Sequence, residues 1–103
     1  MQIAITGRGV AVTDAISDHT TQRFTHALNQ HATHVRGVQV LLKDLNGPKG
    51  GVDKTCEAVV AIDGISDVII KKQGADLYNA ISEAADGAKV AVGRAVSKLK
   101  EHR

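Results

Sequence analysis

The chain has 103 residues, 43% of them hydrophobic, and a formal net charge of +2 with a sequence pI of about 8.9. That length supports one core, because folding a chain of this size buries roughly 60–70% of the surface its unfolded form exposes. Phe24 and Tyr78 are the only large aromatic residues and Cys56 the only cysteine, which excludes a base-stacking platform, an internal disulfide and a cysteine-rich metal site.

The first residues, Met1-Gln2-Ile3-Ala4-Ile5-Thr6-Gly7, contain no charged leader followed by a long apolar run, and nowhere do about eighteen apolar residues follow one another. A soluble cytoplasmic setting without a membrane partner is the expectation. Ile3 and Ile5 alternate with polar or small residues, as in a short strand with one buried face, and Gly7-Arg8-Gly9 ends it. Thr13 or Asp14 then caps a helix expected to reach about Thr33, with Ile16, Thr20, Phe24, Ala27, Leu28 and His31 along one side.

A second strand is expected over Val38–Leu45, with Val38, Val40 and Leu42 facing the core and Gln39 and Lys43 facing water. Asn46–Gly51 joins three glycines to the only proline and reads as a loop. Strand three follows over Lys54–Ile62, with Cys56, Ala58, Val60 and Ile62 on one side. Asp63-Gly64 is a hairpin signal, and strand four runs from Ile65 to about Lys72.

From Gly74 the chain reads as one long amphipathic helix to Arg103. Asp76 caps it, and Leu77, Ile81, Ala84, Ala88, Val92, Ala95 and Leu99 form its apolar stripe. The fold class is therefore α+β in the order β-α-β-β-β-α. A four-stranded mixed sheet is expected, the first two strands parallel and the others antiparallel, with both helices on one face.

Catalytic patterns do not assemble. The glycine-rich loop leads into a strand and lacks the Gly-Lys-Ser or Gly-Lys-Thr ending of a phosphate-binding loop. The five histidines have no partner at a metal-ligand spacing, and Cys56 falls on the buried side of its strand. No acid, base and nucleophile come together, so no enzyme activity, cofactor, metal or small-molecule substrate is expected. What remains is basic: Arg23 and His26 on the first helix, Lys89, Arg94, Lys98 and Lys100 on the second, and Lys71 and Lys72 near the end of strand four. Helices lying side by side would present these as a positive strip suited to phosphate backbone, although cations near a helix C-terminus are also favourable in their own right.

Four stretches carry a resemblance: Met1-Gln2-Ile3-Ala4-Ile5-Thr6-Gly7; Val12-Thr13-Asp14-Ala15-Ile16 with Arg23-Phe24 behind it; Val38-Gln39-Val40-Leu41-Leu42-Lys43; and Ala75-Asp76-Leu77-Tyr78-Asn79-Ala80-Ile81. Together they resemble the ribosome hibernation promoting factors and ribosome-associated inhibitors. The stretch from Asp44 to Cys56 is similar to the loop of a divergent branch of that family.

The resemblance implies one hibernation factor-like domain over residues 1–103, with a fold like that of double-stranded-RNA-binding domains. It also implies a noncatalytic stress role: binding small-subunit ribosomal RNA and occluding the mRNA and tRNA path to inhibit translation. The partner is then the small ribosomal subunit, and the basic residues named above are its RNA-binding set. Better-known members carry a lysine and an arginine where this chain has Gly87 and Val90. The alternative is a diverged module of the same fold that binds a protein, or forms a homodimer, through an exposed sheet face including Leu41, Val59 and Ala61.

Overall fold

Thr13 starts the first helix as its composition suggests: in extended backbone, its hydroxyl accepts from the Ile16 N–H at 3.2 Å. The computed structural model describes residues 1–44 and 53–101. Its elements are β1 (Gln2–Arg8), α1 (Asp14–Leu28), β2 (Val35–Asp44), β3 (Lys54–Ile62), β4 (Val68–Gly74) and α2 (Leu77–Glu101). The loop expected over Asn46–Gly51 lies outside the described residues.

The strands form one sheet in the order β1-β2-β3-β4. β1 pairs with β2 in parallel, placing Ile3 beside Val38 and Ile5 beside Val40, while β2–β3 and β3–β4 are antiparallel. The expected topology is thus the observed one. α1 packs on α2, and α2 on β3 and β4, so the helices cover one face and leave the other open.

Several boundaries differ from expectation for local reasons. α1 stops at Leu28, and Asn29–His31 tightens into a 3₁₀ turn, because the run Asn-Gln-His-Ala-Thr-His offers little apolar surface and several weak helix formers. β4 begins at Val68 rather than Ile65. Gly64 takes a φ of 81° at the turn, and Ser66 and Asp67, both poor strand formers, extend the connection. Gly9, at φ 72°, turns the chain out of β1.

The core joins Phe24, Ala27 and Leu28 of α1 to Val38, Val40 and Leu42 of β2 and to Cys56, Ala58, Val60 and Ile62 of β3. From α2 it takes Leu77, Ala80, Ile81, Ala84, Ala85, Ala88, Val92 and Val96. Near its end the buried line runs through Val96, while Ala95 and Leu99, expected on the apolar stripe, are only half-buried. Buried Thr20 satisfies its hydroxyl by donating to the Ile16 carbonyl at 2.7 Å.

Cys56 is fully buried, and burial, with the adjacent Glu57 charge adding to it, pushes its thiol pKa up to about 12. Since the thiolate is the reactive form, an aromatic disulfide reagent at neutral pH is expected to leave native protein unlabelled and to label Cys56 fully in guanidinium. Labelling of the native protein at the unfolded rate would contradict that burial.

Candidate nucleic-acid interface

α1 and α2 meet along a polar seam. His19 packs edge-on against Tyr78 with ring centroids 4.9 Å apart, and its Nε2 lies 3.4 Å from the Ser82 hydroxyl. One turn further along both helices, Arg23 Nη2 donates to Asp86 Oδ1 at 3.2 Å. Their side chains are 36% and 72% exposed, so the bond is screened and worth about 0–1 kcal/mol. Arg23 is therefore tethered, with an exposed carboxylate beside it. His26 lies elsewhere, on the solvent side of α1 in a shallow hollow with Gln22 and Asn29.

Beyond this seam the basic residues of α2 gather. Lys89, Gly93 and Ser97 recur at i, i+4 spacing, and Val90, Arg94 and Lys98 form the adjoining row. With Gln30 and His31 from the 3₁₀ turn that follows α1, these residues line one open groove. His31 stands over Gly93, where an added Cβ would lie 3.6 Å from its Nε2. The groove thus brings together three of the expected cations, Lys89, Arg94 and Lys98, and adds Ser97, which shares the Lys89 row, and Gln30 and His31, which could be found only by knowing where α1 ends. Lys100 is exposed further along α2 and does not line the groove.

The two lysines of β4 separate, which corrects the single strip expected from sequence. Neighbouring strand residues point to opposite faces, a signal already present in the Lys71-Lys72 pair. Lys72 pairs in register with Cys56, on the helix-covered side. A Cβ added to Gly87 would meet its Cε at 3.4 Å and Ile70 Cγ2 at 3.3 Å, so the Lys72 stem lies over α2 at a position where that helix has no side chain. Lys71, in register with Glu57, belongs to the open face.

On that open face Arg8 of β1 and Lys43 of β2 are register neighbours. Lys43 Nζ bridges to Glu57 at 2.7 Å. The donating Lys43 ammonium holds the Glu57 carboxyl below the usual carboxylate range despite partial burial, and Lys71 and Arg8 add to the effect. A depressed folded-state pKa contributes stability above the unfolded value, and that stability disappears as pH falls through the folded value. The stability gap between wild type and Glu57→Gln, read by urea unfolding, is expected to hold from neutral pH to the ordinary carboxylate range and to close below it. A gap that widened on acidification would refute the ion pair.

At the same end of β2, Lys54 Nζ sits between Asp53 at 3.0 Å and Asp44 at 3.5 Å. This tie links the neighbouring ends of β2 and β3. No group of three or more His, Cys, Asp or Glu side chains able to hold a metal occurs among the described residues.

The model of the family described as Sigma 54 modulation protein / S30EA ribosomal protein matches residues 3–100. The ribosome hibernation promoting factor of Acinetobacter guillouiae is 33% identical over 91 residues, covering 84% of this chain and 79% of that one. Its counterpart in Escherichia coli strain K12 is 29% identical over 102 residues, 99% of this chain and 100% of the other. The chain belongs to this family, that of the ribosome hibernation promoting factors.

Solved structures show the family fold as well. A ribosomal subunit interface protein from Coxiella burnetii superposes with a TM-score of 0.79 at 18% identity, over 94% of this chain and 99% of that one. The N-terminal domain of Thermus thermophilus Protein Y gives 0.71 at 26% identity, over 90% and 93%. Within the family fold, Gly87 and Val90 stand where the resemblance expected cations, Gly87 at the edge of α2 facing β4 and Val90 on its exposed side. Gly87 is roofed by Lys72, and Val90 is 53% exposed in the basic groove.

Proposed function

We propose that this hibernation-factor family member works at the ribosome in the cytoplasm, binding the RNA of the small subunit without catalysis and obstructing the mRNA and tRNA path. The observation that carries this reading is the family match over residues 3–100. The basic groove supports it: Lys89, Arg94 and Lys98 stand on one rigid helix, with Gln30, His31 and Ser97 beside them as hydrogen-bonding groups. Side chains of these types contact phosphate and sugar and position a protein on RNA without reading its sequence.

Lys72 supports it from another element. Its stem crosses α2 over Gly87, so a strand supplies positive charge close to where the resemblance places a helix lysine. Arg23, tethered to Asp86, can be released at small cost. The RNA-binding set proposed is therefore Arg23, Lys72, Lys89, Arg94 and Lys98, with His26, Lys71 and Lys100 outside the groove.

Co-sedimentation with small ribosomal subunits across a salt series tests the reading. A phosphate-driven contact weakens linearly on a log–log plot, by about 0.7–0.9 per contact. Absence from the subunits even at low salt would sink it. The homodimer reading has one observation in its favour: Ile69, 69% exposed, enlarges the apolar part of the open sheet face. It requires a mass that rises with concentration in light scattering.

A further inference from the structure

The open face of the sheet holds a cluster that the helix groove does not use. Arg8, Lys43, Glu57 and Lys71 come from four different strands, and the sheet places them together. Arg8 is beside Lys43, Lys43 bridges to Glu57, and Glu57 is beside Lys71. Three cations surround one carboxylate, and each of them favours its charged form. Like charges directly across a strand pair are destabilising, and Glu57 offsets only part of the repulsion. An anion arriving at this face would complete the balance.

We propose that Arg8, Lys43 and Lys71 form a second phosphate-backbone site, on the side of the sheet opposite the helix groove, through which the protein holds a second RNA segment. This rests on the RNA-binding reading given above. The surroundings favour RNA over an acidic protein. Thr6 and Gln73 are exposed beside the cations on the same face, and hydroxyl and amide groups contact phosphate oxygens and sugars. The face carries no aromatic side chain, whereas protein interfaces draw most of their affinity from buried aromatic and arginine anchors. Cations fixed on strands fit a backbone contact indifferent to sequence. With the helix groove behind it, the sheet becomes a partition between two RNA segments.

The test uses the full chain and two copies of one short RNA duplex, one biotinylated and one fluorescent. Wild-type protein captured on the biotinylated copy is expected to retain the fluorescent copy. The double variant Arg8→Gln/Lys71→Gln leaves the Lys43–Glu57 bridge intact. It should still bind one duplex, but retain the second at least tenfold less, with a salt slope smaller by about 1.4–1.8. Glu57→Gln should act in the opposite direction, retaining the second duplex several-fold better. Melting curves of each variant confirm folding.

Unchanged retention in the double variant, or no gain with Glu57→Gln, overturns the proposal while leaving the function reading intact. So does wild type that binds one duplex and never two. Retention that follows a doubling of mass, lost together with it in the double variant, overturns it in favour of self-association. Competition by polyglutamate but not by free RNA overturns it in favour of an acidic protein. Wild type that binds no RNA removes this proposal and the function reading together.

Discussion

Replacing Phe24 by alanine will cost about 3–5 kcal/mol of folding stability, a large share of the roughly 5–15 kcal/mol that separates folded from unfolded domains. Phe24 is fully buried and is the only phenylalanine in the chain. Its neighbours in the core are mostly alanine, valine and isoleucine on strands and a long helix, elements that cannot close in on the hole independently of one another. Urea unfolding should show a midpoint moved sharply down with little change in slope. A loss below about 1 kcal/mol would mean that the helices collapse onto the vacancy.

Arg94→Gln/Lys98→Gln will release the protein from small subunits by roughly 10- to 100-fold at about 0.1 M salt, with a log–log slope shallower by about 1.4–1.8. Both residues line the groove one helical turn apart, so one stretch of backbone can engage them together. Their removal costs no packing, since both are exposed, and unchanged thermal unfolding is the internal control. Lys49→Gln, a single charge in the glycine-rich segment, should release less. If it released more, the interface would have to be assigned to the glycine-rich segment instead.

The element order was legible because periodicity and punctuation agreed: Thr13 at a cap, alternating Val38, Val40 and Leu42, and turn residues at Asp63-Gly64. The groove was only half legible. Lys89, Arg94 and Lys98 share a helix, so spacing alone relates them. Their companions Gln30 and His31 depend on where α1 gives way to its 3₁₀ turn, a boundary decided by weak preferences.

Long-range pairing was invisible. Arg23 and Asp86 are 63 positions apart in the chain, and nothing local to either reveals the other. Strand parity would have separated Lys71 from Lys72. Bringing Arg8 to Lys43, however, required the parallel register of β1 on β2, which topology permits but residue types do not specify.

The alanine face of α2 has a consequence for how this chain can change over generations. Ala80, Ala84, Ala85 and Ala88 are fully buried against the sheet and α1, and alanine orders on folding without loss of side-chain rotamers. Nearly every substitution at these positions adds volume, and overfilling a packed core costs about 1–3 kcal/mol. Variation along that line is therefore a one-way ratchet: the helix can lose partners across the seam and survive, but it cannot acquire bulk. Drift in this lineage is then steered to the outward positions, where the helix carries its exposed charges.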